Sequence, residues 1–263
     1  MTLPAPAPPP WQQWDLHPSV VIGLVLLGGL YVYWGGFEAP RRRVASFIAA
    51  LAVLGLALNG PLHNLSDSYL FSAHMVQHLV LMLVVPPLLL TGLPAGMADG
   101  MLAPVLARPS TAALARGLTR PLPAIALYAI GLIAWHLPAP YNLALQVHGW
   151  HIVEHLVLLA TAVVGWWPIA SPSRRLPPLP YAAQLLYLFV FGMPMTVVAA
   201  MITAAERLLF PLYAAAPRLF DLTPLADQRL GGVIMWVPSG LIPLAAFTLV
   251  FFRWVAAEAD EVA

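Results

Sequence analysis

Seven long apolar runs dominate the sequence and decide what the chain can fold into. An α-helix needs about 20 mostly apolar residues to cross the roughly 30 Å hydrocarbon core of a bilayer. Only 9% of the residues are charged, which is too few to cover a soluble core of this size. We therefore predict an all-α, polytopic membrane bundle of about seven transmembrane helices. The runs lie near residues 19–36, 44–60, 69–93, 122–137, 146–168, 181–204 and 229–254.

The arginines between these runs predict how the bundle is oriented. They are concentrated in the connections after the first, third and fifth runs. The positive-inside rule places such connections in the cytoplasm. We therefore expect the N-terminus outside and the C-terminus in the cytoplasm. The arginines of these connections are Arg41, Arg42, Arg43, Arg108, Arg116, Arg120, Arg174 and Arg175.

No internal repeat or long linker divides the sequence, so we expect one membrane domain. Residues 1–18 are predicted to form an exposed N-terminal tail, and residues 255–263 a short acidic cytoplasmic tail. The single seven-helix transmembrane domain then covers residues 19–254. The proline-rich 94–121 connection is expected to hold one or two short interfacial helices. Pro86-Pro87 and Pro194 are expected to bend the helices that contain them.

All eight histidines fall towards the outer side in this topology, and none lies near the cytoplasmic side. The chain has no cysteine, which excludes disulfides, thiolate metal sites and iron–sulfur clusters. Imidazole and thioether groups are then the soft ligands available for a transition metal. The histidines are His17, His63, His74, His78, His136, His148, His151 and His155.

Two of the predicted helices carry histidines at helical spacing. His74 and His78 are four residues apart, and His148, His151 and His155 follow one another at spacings of three and four. Residues four apart on a helix differ by about 40° in direction and about 6 Å in height, so both rings can reach one ion. If the third and fifth helices are neighbours, these imidazoles converge in one outer pocket. We predict a transition-metal site there.

Three methionines lie at a depth compatible with this pocket. They are Met75, beside His74, then Met201 in the sixth run and Met235 in the seventh. Thioether ligands select copper(I), whereas imidazole suits zinc, copper, iron and nickel. The combination modestly favours copper, although packing against lipid or core is the common role of a single membrane methionine.

Two acidic residues are candidates to orient or join the ligands. Glu154 lies inside the fifth run, where a carboxylate must be paired, protonated or bound to a metal. It is expected either to ligate the ion or to orient an imidazole. Asp227, at the start of the seventh run, is either an N-cap residue or a polar group at the mouth of the pocket.

Three segments resemble the CtaG family of cytochrome c oxidase assembly proteins. The first two are "FSAHMVQHLVLMLVVPPLLLTGLP" at 71–94 and "WHLPAPYNLALQVHGWHIVEHLVLLATAVVGWWP" at 135–168. The third is "DQRLGGVIMW" at 227–236, and the likeness covers nearly the whole chain. One departure is Asn142, where the family pattern leads us to expect an acidic residue after the tyrosine.

The resemblance implies a multi-pass protein of the bacterial plasma membrane that helps to mature a haem–copper oxidase by handling copper on the outer side. Its implied partners are lipid and either an oxidase subunit or a periplasmic copper chaperone, with no nucleic acid. Glu154 and Asp227 would support the ligands. The implied copper ligands are His74, His78, His151 and His155, with His148, His136 and Met75 as further candidates.

Three functions are compatible with the sequence. The first is a copper-binding assembly factor without catalytic activity. The second is a membrane zinc hydrolase, because His151, Glu154 and His155 form the H-x-x-E-H order of inverted zincins, in which the glutamate is a general base. The third is a haem carrier or b-type cytochrome with one axial histidine from each of two helices.

Overall fold

A computed structural model describes residues 9–262, which form α-helices and short 3₁₀ turns with no strand among them. The first part of the bundle consists of α1 (Pro18–Tyr33), α2 (Arg41–Ala57), α3 (Gly60–Ser68), α4 (Phe71–Gly92), α5 (Ala95–Leu106) and α6 (Pro109–Leu118). The second part consists of α7 (Pro121–His136), α8 (Pro138–Gln146), α9 (His148–Ala170), α10 (Tyr181–Ala204) and α11 (Pro224–Val262).

The all-α, polytopic membrane bundle predicted from the sequence is confirmed. Each of the seven apolar runs coincides with a helix, namely α1, α2, α4, α7, α9, α10 and α11. Within the described residues, 4 helices are long and apolar enough to cross a bilayer. Counting two bent pairs, α2 with α3 at 43° and α6 with α7 at 76°, as single spans raises the number to 6. The seventh crossing, through the 16-residue α1, and the orientation of the termini remain predictions.

The last helix is longer than the sequence pattern predicts. It runs from Pro224 to Val262, beyond both ends of the predicted 229–254 segment. The alanine- and glutamate-rich end of the chain favours continuation of the helix, because both residue types have high helix propensity. Most of the expected acidic tail is therefore helical. Residues 1–8 of the expected N-terminal tail, and residue 263, lie outside the described residues.

Helix α4 accommodates its two adjacent prolines through a local change of winding. A π-helical turn at Val80–Val84 comes immediately before Pro86-Pro87. Proline has no N–H to donate to the carbonyl four residues earlier, which for Pro86 is that of Met82. Trp166 of α9 donates its Nε1–H to this carbonyl at 2.9 Å. The freed backbone group thus becomes a link between α4 and α9, as expected where backbone polar groups lie in an apolar medium.

Asp227 caps a different helix from the one that contains it. Its carboxylate accepts hydrogen bonds from the backbone N–H groups of Phe71 at 2.7 Å and Ser72 at 3.2 Å. The Ser72 hydroxyl donates to it as well, at 2.5 Å. The two backbone N–H groups belong to the first turn of α4 and have no partner within that helix. A negative charge at this end is also favoured by the helix dipole. Asp227 therefore ties the start of α11 to the start of α4, the helix that carries His74 and His78.

Two glycines allow α11 to pack closely beside α4 and α10. A Cβ atom at Gly231 would lie 2.5 Å from the Phe71 ring. At Gly232 it would lie 2.2 Å from the Thr203 hydroxyl and 2.8 Å from the Thr203 backbone nitrogen. Only glycine fits at either position without displacing a neighbour. The D-Q-x-x-G-G element of α11 is thus a docking surface for two helices, α4 and α10.

The arginine-rich connections and the histidines lie at opposite ends of the bundle. At the end of α4, Arg43 of α2 donates to the Leu93 carbonyl at 2.6 Å. After α9, the Ser173 hydroxyl and the Arg174 backbone N–H donate to Asp99 of α5, at 2.5 and 3.1 Å. These hydrogen bonds lower the pKa of Asp99. The histidines of α4 and α9 occupy the other end of the same two helices, as the predicted topology requires.

Replacing Gly232 with alanine is expected to destabilise the bundle, because the added methyl group would collide with the Thr203 backbone. Overpacking of this kind costs about 1–3 kcal/mol. Gly240→Ala is the matched control, since it lies in the same helix with open space where its Cβ would be. Thermal melting of the detergent-purified variants checks this. Equal melting temperatures for the two variants would contradict the close approach.

Candidate metal centre

Five polar side chains from α4 and α9 meet in the interior near one end of the bundle. His74 and His78 come from α4, and His151, Glu154 and His155 from the first two turns of α9. One ligand atom from each of His74, His151, Glu154 and His155 lies within 4.8 Å of the others. The Nε2 atom of His78 lies 3.6 Å from Glu154 Oε1, and that of His74 lies 3.9 Å from Glu154 Oε2. This cluster is the candidate metal centre.

The atoms that face one another in this cluster lack hydrogen-bond partners. Among the described residues, no partner is present for the Nε2 atoms of His74, His78, His151 and His155, or for either carboxylate oxygen of Glu154. His74, His78 and Glu154 are completely buried. Buried polar groups in proteins are almost always paired, so each unpaired group requires an explanation. A cation bound among His74, His151, Glu154 and His155 would satisfy one atom of each, and His78 Nε2 lies beside this group, 3.6 Å from Glu154 Oε1.

The tautomer of His74 follows from a chain of hydroxyl groups. Tyr213 donates its hydroxyl proton to the Ser66 carbonyl at 2.7 Å, because a carbonyl can only accept. The Tyr213 oxygen must then accept from the Nδ1–H of His74 at 3.1 Å and from the Tyr141 hydroxyl at 3.2 Å. His74 consequently keeps its proton on Nδ1 and presents the lone pair of Nε2 to the cluster.

The tautomer of His78 follows in the same way from His136. The Nδ1–H of His136 donates to the Leu132 carbonyl at 2.8 Å, which leaves its Nε2 as an acceptor. That Nε2 accepts from the Nδ1–H of His78 at 3.1 Å. The lone pair of His78 Nε2 therefore points towards Glu154. Both ring nitrogens of His136 are engaged, so His136 orients a ligand in this arrangement and does not itself offer a free one.

The carboxylate of Asp67 orients His151, as His136 orients His78. The Oδ2 atom of Asp67 faces the Nδ1 of His151 at 3.5 Å and the Nε2 of His63 at 3.3 Å. The amide of Gln77 donates both to the Ala57 carbonyl at 2.7 Å and to the Nδ1 of His63 at 3.2 Å. His63 therefore carries its proton on Nε2, towards Asp67. A carboxylate on one ring nitrogen of a histidine is the usual support for a metal ligand.

Three of the four cluster histidines are thus held with Nδ1 engaged and Nε2 free. The supporting groups come from three places: Asp67 in α3, His136 at the end of α7, and Tyr213 in the connection before α11. Neutral imidazoles with one fixed N–H are the form in which histidine binds metal ions. The arrangement offers these three lone pairs and the Glu154 carboxylate to an ion, and the Nε2 atom of His155 lies beside them without a partner.

Comparison with protein-family models finds one match, to the cytochrome c oxidase caa3 assembly factors (Caa3_CtaG), over residues 22–257. The chain belongs to this family. The match confirms the resemblance inferred from the sequence and covers all the residues of the cluster. No curated protein and no solved structure matches the chain. As a family member, the protein is an assembly factor for cytochrome c oxidase, which implies interaction with the oxidase; the family suggests a role other than catalysis.

The structure of this assembly factor brings together the four central histidines proposed as ligands, and Glu154 with them. It separates His148 from the cluster. His148 is exposed at the first position of α9, with its ring centre 6.1 Å from that of His17. Asp227 acts on the cluster at a distance, by fixing the start of α4.

Two of the three candidate methionines pack in the hydrophobic core, and the third lies at the surface. Met75 is fully buried in the hydrophobic core, with its side chain against Gly231 of α11. Met235 is fully buried in the same apolar core. Met201 has 69% of its surface exposed. The described cluster therefore offers imidazole and carboxylate groups to an ion.

Sequence reasoning missed Asp67 and Tyr213. Asp67 lies four residues after His63, a helical spacing that could have indicated a pair on one face of a short helix. Tyr213 lies in an irregular connection, on a 3₁₀ turn at Pro211–Ala214, where no periodicity points to a function.

Tyr213→Phe is expected to weaken metal binding while preserving the fold. The variant removes the oxygen that accepts the His74 proton, and loss of such a supporting contact costs roughly 10–100-fold in metal affinity. Tyr187→Phe is the matched control, because its hydroxyl also makes a buried hydrogen bond, to the Gly165 carbonyl at 2.7 Å, away from the cluster. Competition with a chromogenic copper(I) chelator measures both affinities. Equal affinities would show that Tyr213 does not orient His74.

Proposed function

We propose that this assembly factor binds one copper ion between His74, His78, His151 and His155 and supplies it to a haem–copper oxidase during assembly. The observation that carries the proposal is the set of four buried Nε2 atoms without partners around Glu154. His74, His151 and His155 each have a ligand atom within 4.8 Å of a Glu154 oxygen, and His78 Nε2 lies 3.6 Å from Glu154 Oε1. Copper is the cargo in this proposal, and the protein is its carrier. The family match supports the oxidase as the destination.

The donor set is the first argument for copper. Imidazole nitrogen binds zinc, copper, iron and nickel, and at a given nitrogen site copper(II) binds most strongly of the divalent first-row ions. The absence of cysteine from the sequence removes the thiolates that would hold an ion most tightly. A site made of neutral imidazoles can therefore hold copper and also release it.

Charge balance is the second argument. Burial of an isolated charge in an apolar interior is costly, so buried charges are paired. Glu154 is the carboxylate within 3.6–3.9 Å of the His74 and His78 nitrogens. Copper(I) beside an ionised Glu154 gives a neutral site from the cluster residues alone, whereas a divalent ion would also need the charge of Asp67 beside His151. We take copper(I), which one carboxylate neutralises, as the proposed bound form.

The position of the cluster supports delivery on the extracytoplasmic side of a bacterial plasma membrane. The histidines lie at the end of the bundle opposite the arginine-rich connections, which the positive-inside rule assigns to the cytoplasm. Copper would then arrive from the outer face, from a soluble chaperone or as a free ion, and leave to an oxidase subunit beside the bundle.

The two other candidate functions receive less support from the geometry. A porphyrin needs a pocket of at least about 300 Å³. The cavity that borders both His151 and His155 measures about 20 Å³, and a second one beside His155 measures about 130 Å³. A zinc hydrolase would need room for a lipid or peptide substrate beside Glu154, and this carboxylate is fully buried. A Soret band, or turnover of such a substrate by the purified protein, would favour one of these alternatives.

Simultaneous replacement of His74, His78, His151 and His155 with alanine is expected to abolish tight copper binding, because it removes all four lone pairs. Anaerobic copper(I) titration of the detergent-purified protein should show one tightly bound ion in the wild type and none in the variant. Gln146→Ala, an exposed change on nearby α8, should bind like the wild type. A monodisperse wild-type protein that retains no copper would refute the proposed function.

The same four-histidine variant is expected to fail in oxidase assembly. In a bacterial strain lacking its own copy of the gene, wild type and Tyr187→Phe should restore an oxidase with its full copper content. The variant should yield oxidase with its haem but depleted in copper, as measured by metal analysis and the haem spectrum. A fully copper-loaded oxidase in the variant strain would show that the protein acts as a scaffold.

A further inference from the structure

The histidines outside the metal centre are not isolated, because all eight form one continuous series of rings. From the surface inward, the distances between ring centres are 6.1 Å for His148–His17, 4.0 Å for His17–His63 and 5.7 Å for His63–His151. They continue with 5.2 Å for His151–His74, 4.5 Å for His74–His78 and 5.0 Å for His78–His136, while His155 lies 4.3 Å from His151. The series connects an exposed side chain to the buried cluster.

A small cavity lies between the outer and inner histidines. Its volume is about 20 Å³, enough for one water molecule or one ion. The walls include His17 and His148, which the metal centre does not use, as well as His151 and His155, which belong to it. His63 also borders the cavity. An ion in this space is in reach of both sets of imidazoles.

His17 is held in place by the chain around it, although it precedes the first helix. Its backbone N–H donates to the Asn59 side chain at 2.8 Å. The Gly60 N–H donates to the Asp15 carbonyl at 3.0 Å. Gly60 has a φ of 62°, and a Cβ there would lie 2.6 Å from the Trp14 ring, so glycine is required for this contact. The segment carrying His17 is therefore fastened to the turn between α2 and α3.

The chemistry of the outer rings distinguishes ligands from supports. The Nε2 atoms of His17 and His63 are both buried without a hydrogen-bond partner among the described residues. They differ in their surroundings, because His63 Nε2 faces the Asp67 carboxylate at 3.3 Å and its Nδ1 contacts the Gln77 amide. His148 is exposed and free to turn towards His17. Two metal–nitrogen bonds of about 2.0 Å each, plus the distance from each nitrogen to the centre of its ring, add up to roughly the 6.1 Å between the ring centres of His17 and His148. Copper(I) is stable with two such ligands.

We propose that His17 and His148 form a second, shallower copper site that captures the ion at the outer surface and passes it through the cavity to His151 and His155. This capture site extends the proposed function and rests on it. Transfer is a ligand exchange: bonds from copper to His17 and His148 break as bonds to His151 and His155 form. Copper keeps its oxidation state, and every imidazole keeps its N–H proton, so no co-reactant is needed.

The test uses the double variant His17→Gln/His148→Gln, which leaves the buried His63 network intact. Copper(I) alone is added to the full-length, detergent-purified protein, with binding followed by chelator competition and by stopped-flow loading. Wild type should bind one tight and one weaker ion. The double variant should keep the tight ion, lose the weaker one and load about tenfold more slowly, a scale typical of losing a supporting metal contact. Gln146→Ala is the control and should match the wild type.

The outcomes separate this inference from the proposed function. A double variant that binds as many ions as the wild type, at the same rate, overturns the capture site while leaving the inner site untouched. The four-histidine variant should keep only the weaker ion, and loss of that ion as well would also overturn the inference. If the double variant is not monodisperse, His148→Ala alone replaces it, because this exposed side chain has no packing role. It should likewise lose the weaker ion, and retention of that ion overturns the inference.

Discussion

The meeting of polar side chains from the first turns of α4 and α9 is the constraint that the other contacts of the structure must satisfy. It places four imidazoles and one carboxylate in an apolar interior, where each unpaired polar group carries a substantial desolvation penalty. The bundle holds this arrangement because other contacts fix both helices. Asp227 caps the start of α4, Trp166 of α9 bonds to the Met82 carbonyl of α4, and Gly231 brings α11 against Phe71. These contacts stabilise a geometry that the histidines alone would disfavour.

The groups around the cluster explain why several distant parts of the chain contribute to one site. Asp67, His136 and Tyr213 each occupy one nitrogen of a cluster histidine, and each comes from a different connection or helix end. A histidine free to exchange tautomers would present a lone pair only part of the time. When the proton is fixed on Nδ1, the Nε2 lone pair is available all the time. The ring is therefore preorganised to bind an ion.

The sequence could predict the helices and the pairing of the central histidines on two of them, because both follow from local periodicity. Apolar runs of membrane-spanning length fix α4 and α9, and spacings of three and four place His74 and His78, or His151 and His155, on one helix face. Asp67 and Tyr213 were not predictable in this way. Their roles depend on where short helices and an irregular connection fold back over the bundle. His148 follows the same spacing as His151, but it lies at the first position of α9, where it reaches the surface beside His17.

The unpaired atoms also bear on how such a site exchanges its ion. Six buried nitrogen and oxygen atoms without hydrogen-bond partners among the described residues are energetically unfavourable, so the proposed copper ion would offset this cost as well as forming bonds. In the proposed site, binding would thereby be favoured even though no thiolate takes part. Neutral imidazoles can nevertheless be replaced one at a time by equivalent imidazoles close by, as the spacing of the rings allows. A metal carrier needs both favourable loading and stepwise ligand exchange. A closed structural site loads favourably but does not exchange its ligands in this way.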